Sequence, residues 1–280
     1  MSLEKCVDYC KRYSDDVVYK SCGNCIVVLR KLPYTQTNED RKNVADPNYA
    51  KFRADILEVL RIFLKYDPTA EYRSIENTCF ESKQITYNIG KYVEVDNYDT
   101  CKNHVCAPGI HYFKNVIPAF YYGIKFYTGK YIAWHDNGAK MIECEYIFGD
   151  RHGKNIEWYD DGNMRTQCEY INGKLNGKYT EWYSNGNMLK ECEYINGELN
   201  GKYTDWYRNG NMITQCVYIN GKLNGTVTTW RNDGVKWGED NYLNGKKHGE
   251  QIVWNYGEIT SKCEYVNDRL ILADGQRLFI

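Results

Sequence analysis

Two close cysteine pairs open the 280-residue chain, Cys6-x3-Cys10 and Cys22-x2-Cys25. Thiols two to four residues apart suit tetrahedral zinc, because a short turn aims both sulfurs at one ion. Cys6, Cys10, Cys22 and Cys25 are therefore candidate ligands for a structural zinc; the competing reading is four thiols that no metal joins. A redox role for Cys22 and Cys25 needs a helix starting at the first thiol to lower its pKa. Instead the strand-like run Ile26-Val27-Val28-Leu29 follows. Cys101, His104, Cys106 and His111 form a denser set. Its His-x-Cys step is awkward for tetrahedral ligation, and His111 sits in an apolar strand where a satisfied buried imidazole is expected. Cys106 and His111 are also the residue types of a nucleophile and its base, but nothing marks an oxyanion hole or a third orienting group. No phosphate loop, dinucleotide fingerprint, zinc-protease helix or paired-carboxylate setting occurs. The sequence thus names no catalytic residue and predicts a non-enzymatic protein, with no cofactor unless the zinc reading holds.

The elements that must position these residues divide at Gly129. From there Trp134, Trp158, Trp182, Trp206, Trp230 and Trp254 follow at steps of 24 residues. Cys144, Cys168, Cys192 and Cys216 keep the same step, as do Tyr146, Tyr170, Tyr194, Tyr218 and Tyr242. Six units run from Gly129 to about Leu270. The fifth has Asp240 in place of Cys, and the sixth has lost a residue before Gly257. Each unit reads as a hairpin. Lys178–Tyr183 alternates, with Thr180 and Trp182 on one face, Tyr179, Glu181 and Tyr183 on the other. Asn185-Gly186 makes a turn. Met188–Ile195 returns with Met188, Lys190, Cys192 and Tyr194 on one face, and Asn196-Gly197 turns again. Turns about every 12 residues leave no room for helices. An antiparallel meander follows, a quasi-one-dimensional array in which each unit meets its neighbours. Equivalent cysteines lie two strands apart, about 9–10 Å, beyond disulfide reach. They are expected as a ladder of small buried residues.

Residues 1–128 show no such echo and read as a compact α+β head. Ile26–Leu32 is a buried strand. Asn48 caps a helix over Tyr49–Lys65, on the helical spacing of Phe52, Ile56, Val59, Leu60 and Phe63, stopped by Asp67-Pro68. Val59-Leu-Arg-Ile-Phe63 is also strand-like, so Arg53–Phe63 has an alternative reading as partly strand. Ile85–Val95 reads as a hairpin around Asn88-Ile-Gly90, and a short helix begins near Pro118. The fold class expected is an α+β domain, 1–128, followed by an all-β elongated meander, 129–280.

The pattern Gly-x4-Trp-x3-Gly followed by Tyr-x2-Gly-x3-Gly resembles the MORN repeat, in the variant form also seen in antitoxin-like proteins. That likeness implies a scaffold that binds other proteins or itself, with some members linked to phospholipid headgroups. In the head, Gly90-Lys-Tyr-Val-Glu-Val-Asp, Cys106-x2-Gly109-Ile-His111-Tyr-Phe113 and Ala119 are similar to an uncharacterised domain of large DNA viruses found beside such repeats. Ala50-Lys-Phe-Arg-Ala-Asp55 and Glu58-Val59 fit it upstream. The likeness implies a viral protein and brings no activity with it.

Charge narrows the partners. The whole chain carries 36 Lys+Arg against 37 Asp+Glu, which argues against nucleic acid. Residues 129–280 hold 18 Lys+Arg against 21 Asp+Glu, a sign that disfavours anionic membranes. The first residues lack the apolar stretch of a signal peptide, so host cytoplasm or a virion is the expected location and mostly reduced thiols the expected state of the 12 cysteines. The function expected is a scaffold that docks protein partners, or a second copy, through an aromatic repeat face. That face is expected to comprise the six period-24 tryptophans with Tyr146, Tyr170, Tyr194 and Tyr218.

Overall fold

A computed structural model of the chain describes residues 3–77, 84–124, 127–273 and 276–277. Two units emerge: Met1–Glu143 with Asp160–Gly162, and Cys144–Tyr159 with Asn163–Ile280. Among the described residues no helix is long and apolar enough to cross a membrane.

The first unit begins with helix α1 (Leu3–Cys10). Strands β1 (Val17–Cys22) and β2 (Cys25–Arg30) form a hairpin in which Cys22 faces Cys25. β3 (Lys51–Ala54), β4 (Ile56–Leu64), β5 (Asp67–Glu71), β6 (Ser74–Glu76), β7 (Thr86–Asn88), β8 (Tyr92–Glu94) and β9 (Ile110–Phe113) follow, then helix α2 (Val116–Tyr121). The main sheet runs β3-β9-β1-β2-β4-β5, with β8 added to β4. β1 and β2 are buried on both faces, which explains the unbroken apolar run of Ile26–Leu29. Val27 and Leu29 enter one apolar cluster with Phe52, Leu57 and Tyr112. Ile26 and Val28 enter the other, against α1 and α2. Asn115 caps α2 by accepting from Ile117 N, so the short helix expected near Pro118 is present.

The helix expected over Tyr49–Lys65 is absent. Its residues form β3 and β4, closer to the alternative strand reading. Leu57 and Ile62, off the supposed helical face, are fully buried. The stretch is apolar on two sides, and pairing of β4 with β2 and of β3 with β9 buries both. Ile85–Val95 is likewise not a simple hairpin: β7 pairs with β6, β8 with β4.

The period-24 region opens in this unit with β10 (Gly129–Trp134) and the first half of β11 (Lys140–Ile147). The loop before β3 closes over this hairpin. Ala45 N and Asp46 N donate to Asn137 O at 2.7 and 3.2 Å, and Lys51 N to Asp136 O at 3.2 Å. The Tyr49 ring stacks on Trp134 at 4.7 Å and 8°. Asp46 O passes so close to Gly138 that a β-carbon there would lie 2.0 Å away; only glycine fits. The loop does for the first hairpin what a preceding repeat does for later ones, since terminal repeats need a cap.

In the second unit β12 (Asp150–Trp158), β13 (Met164–Ile171), β14 (Lys174–Leu175), β15 (Gly177–Trp182), β16 (Met188–Ile195), β17 (Glu198–Trp206) and β18 (Met212–Ile219) form an antiparallel meander. It continues through Gly225–Trp230, Lys236–Leu243, Lys246–Asn255 and Glu258–Val266. The expected bounds Met188–Ile195 are met, and the fold class stands: an α+β head, then a long meander of hairpins. At Asn196-Gly197 both residues have positive φ, 52° and 88°, the geometry of a type I′ turn. The residue lost from the sixth unit turns its longer Trp-side loop into the same kind of tight turn, Tyr256-Gly257.

Side chains hold the repeats in step. Tyr159 Oη donates to Trp182 O at 2.8 Å, Tyr183 Oη to Trp206 O at 2.8 Å and Tyr207 Oη to Trp230 O at 3.2 Å. Asn163, Asn187 and Asn211 reach the carbonyls of Ser184, Arg208 and Asn232 in the following turns. A part-buried hydrogen bond contributes about 1 kcal/mol. Tyr183→Phe should therefore lower the stability of the repeat unit by about that much, read as a shift in its urea midpoint, and Tyr183→Phe with Tyr207→Phe by about twice as much.

Candidate protein interface

Strand register sorts the repeat residues onto two faces. Tyr179 pairs with Cys192, Gly177 with Tyr194 and Glu181 with Lys190, so Tyr179, Glu181, Cys192, Tyr194 and Lys190 share one face. Lys178 pairs with Glu193 and Thr180 with Glu191, and alternation places Trp182 with them on the other. The same register recurs around Tyr203–Cys216 and Asn155–Cys168. The tryptophans and the β13, β16 and β18 tyrosines grouped by the sequence reading into one aromatic surface therefore lie on opposite sides of the strands.

The tyrosine side is the better packed. Cys144, Cys168, Cys192 and Cys216 are all buried. Tyr179 meets Tyr194 edge-on at 5.9 Å, and Tyr203 meets Tyr218 at 5.8 Å. Burial pushes the thiols of Cys168 and Cys216 up to about 11, which keeps them protonated and unreactive at neutral pH. Burial likewise pushes Tyr194 up to about 12. Asp205 lies here too, its carboxyl raised by burial and its Oδ1 left without a hydrogen-bond partner.

The tryptophan side buries Thr180 and Thr204 but leaves its margins partly exposed. Trp158, Trp182, Trp206, Trp230 and Trp254 are half-buried along one margin. Ile171, Ile195, Ile219, Leu243 and Val266 run along the other at 47%, 52%, 49%, 42% and 39% exposure. Between the margins lie Lys178 and Glu191, paired at 2.9 Å. Sequence reasoning missed this aliphatic row, although it keeps the 24-residue step one position after each tyrosine. That odd offset from Tyr194 is the signal by which the sequence could have set Ile195 on the side of Trp182. Trp134 and Tyr146 belong to the capped hairpin, where Trp134 is half-buried against Tyr49 and Tyr121.

The cysteine pairs of the head are not brought together. Cys6 and Cys10, four residues apart on α1, enter the cluster under the helices. Cys22 and Cys25 close the β1–β2 turn and enter the cluster on the sheet's other side. The hydrogen bond that the Cys10 thiol gives to Cys6, and then burial, hold it far above its ordinary pKa, and burial raises Cys25. Among the described residues no group of three or more His, Cys, Asp or Glu is arranged to hold a metal.

Cys101, His104, Cys106 and His111 also diverge. His104 Nδ1 lies 2.8 Å from Asp99 Oδ2, and His111 Nε2 donates to Val105 O at 2.9 Å. Cys106 Sγ lies 3.5 Å from Asp136 Oδ2 and 3.8 Å from Lys51 Nζ. What shapes their loop is Arg53, fully buried, whose guanidinium donates to the carbonyls of Asp99, Cys101, His104 and Pro108.

No curated protein matches the chain. Residues 7–119 match a family of unknown function (DUF5758), and residues 151–172, 175–196 and 199–220 match the MORN repeat variant.

Proposed function

We propose that this protein is a non-enzymatic scaffold that docks protein partners, or a second copy of itself, on the tryptophan–isoleucine side of its repeats. The match to MORN repeats points to a role in binding proteins or membranes. The carrying observation is the aliphatic row Ile171–Ile195–Ile219–Leu243–Val266, about half exposed in five successive units. A monomer gains nothing by keeping branched aliphatics in water at every repeat, and contiguous apolar surface marks an interface. The half-buried tryptophans on the same side supply the aromatic anchors that dominate interface energies. The excess of Asp+Glu over Lys+Arg in residues 129–280 favours a protein over an anionic membrane. The head's likeness to a viral domain carries the narrower reading, a component of a large DNA virus acting in the host cytoplasm or virion.

The test uses substitutions in the exposed row, where added charge leaves the fold intact. Ile195→Lys with Ile219→Lys should keep the urea midpoint of the parent within about 0.5 kcal/mol. It should weaken binding of a partner captured from the native source, or self-association in sedimentation, at least about tenfold, equivalent to ~1.4 kcal/mol. Trp182→Ala with Trp206→Ala should weaken the same interaction. If every captured protein binds parent and lysine variant equally, and self-association is unchanged, the reading fails.

A further inference from the structure

One carboxylate of the repeats lacks the partner that its counterparts have. Glu157, Glu181 and Asp205 follow at steps of 24 residues on the tyrosine side, each the last residue but one of its strand. Glu157 Oε1 accepts from Asn155 Nδ2 at 3.3 Å and lies 3.5 Å from Arg151 Nη1. Glu181 Oε2 accepts from Tyr179 Oη, two residues earlier on the same strand, at 3.1 Å. Tyr203 stands at the same step before Asp205, but aspartate is one methylene shorter. Its Oδ2 lies 3.5 Å from Tyr203 Oη, beyond the usual range of such a bond, and its Oδ1 is buried with no partner.

The strands on either side do not make up the difference. On β16 Lys190 lies opposite Asp205, and Glu181 lies opposite Lys190 in turn, so one ammonium faces two carboxylates. Lys190 holds its Nζ 5.9 Å from the centre of the Tyr203 ring. Cys192 on β16 faces Tyr203, and on β18 Thr214 faces Asp205, with Cys216 and Tyr218 next on the same side. Burial raises Cys192, Cys216, Tyr203 and Tyr218, so these four carry no charge at neutral pH. Burial raises the Asp205 carboxyl too, while Thr214 and the charge of Lys190 act against it. A carboxyl with a higher pKa in the folded than in the unfolded chain costs stability while ionised. That cost is full above the folded value, fades as pH falls through it and is gone below the ordinary aspartate value. Protonation takes the charge off the buried oxygen and gives the side chain a hydrogen to donate to Tyr203 Oη.

We propose that Asp205 is a proton-operated latch in the fourth repeat: ionised, it keeps the β17–β18 hairpin looser than the β15–β16 hairpin, and protonated, it lets that hairpin tighten. The repeats then grow firmer at this point as the medium turns acid, whether or not the tryptophan side docks a partner.

The experiment follows hydrogen exchange of the intact protein from about pH 7 to about pH 4, corrected for intrinsic rates. The quantity read is protection in β17 and β18 divided by protection in β15 and β16, so that a response common to all repeats cancels. In the parent this ratio should rise several-fold on acidification. In Asp205→Asn it should be high at both ends and flat. Asp205→Glu keeps the charge but reaches the tyrosine as Glu181 does, so its ratio should start above the parent's at neutral pH and rise less. A parent ratio that stays flat or falls overturns the proposal. So does a rise of the same size in Asp205→Asn, or a glutamate variant that behaves as the parent.

Discussion

Arg53→Met should destabilise the first unit by about 3–4 kcal/mol, the largest effect expected of any single side chain here. Arg53 reaches from β3 into the long loop leading to β9. It is fully buried, and its guanidinium answers four backbone carbonyls, with a contact to Asp99 Oδ2 at 3.9 Å and the Tyr98 ring 4.8 Å away. Asn38, equally buried, accepts from Arg53 N at 2.9 Å and gives its amide to the carbonyls of Lys102 and His104. Methionine fills the volume and leaves those carbonyls unpaired, each costing about 1–3 kcal/mol unless water reaches it. The loop therefore has to open, which sets the net loss below the sum. Arg53→Lys should recover only part, because an ammonium has three donors and no fork. Guanidinium unfolding gives the midpoint. Hydrogen exchange over residues 96–109 should speed in Arg53→Met while Gly177–Ile219 keeps its protection. Unchanged exchange in the loop would show that the clasp is ornamental.

The repeats were legible because local chemistry and global fold agree there. Asn-Gly pairs demand positive φ, the strands between them alternate, and a meander of equal hairpins leaves one topology. The strand bounds of β16 came from those facts alone. Which side faces water did not, because a one-layer sheet is apolar on both sides: Cys192 and Tyr194 mark one, Trp182 and Ile195 the other. Aromatic type pointed to a common surface, and only the parity between Tyr179 and Trp182 separates them.

The head was harder for two physical reasons. First, the apolar steps in Phe52–Phe63 satisfy a helical period while Ala54, Leu57 and Ile62 between them are apolar as well. Pairing with β2 and β9 decides such a segment, and that information lies elsewhere in the chain. Second, the four-residue step of Cys6 and Cys10 is at once a ligand spacing and the spacing of one helix face. Leu3 and Val7 complete that face, and α1 packs it into the core. The Arg53 clasp left no trace in the sequence, since a single arginine among Lys51, Phe52, Ala54 and Asp55 has no local signature of burial.

The 24-residue unit is the module of the meander and of the proposed docking side alike. Removing Gly177–Asn200 takes out one whole unit and rejoins strands of the same direction and register. Removing Gly177–Met188 takes out one strand and its turn. The strand after Asn176 must then run against its native direction, so the tryptophan and cysteine rows can no longer continue on their own sides. Thermal unfolding followed by far-UV circular dichroism compares the two deletions with the parent. The whole-unit deletion should unfold cooperatively within a few degrees of the parent, because an array is a sum of nearest-neighbour terms. The half-unit deletion should lose the cooperative transition of the repeats. Equal behaviour of the two, whether both fold or both fail, would contradict the account.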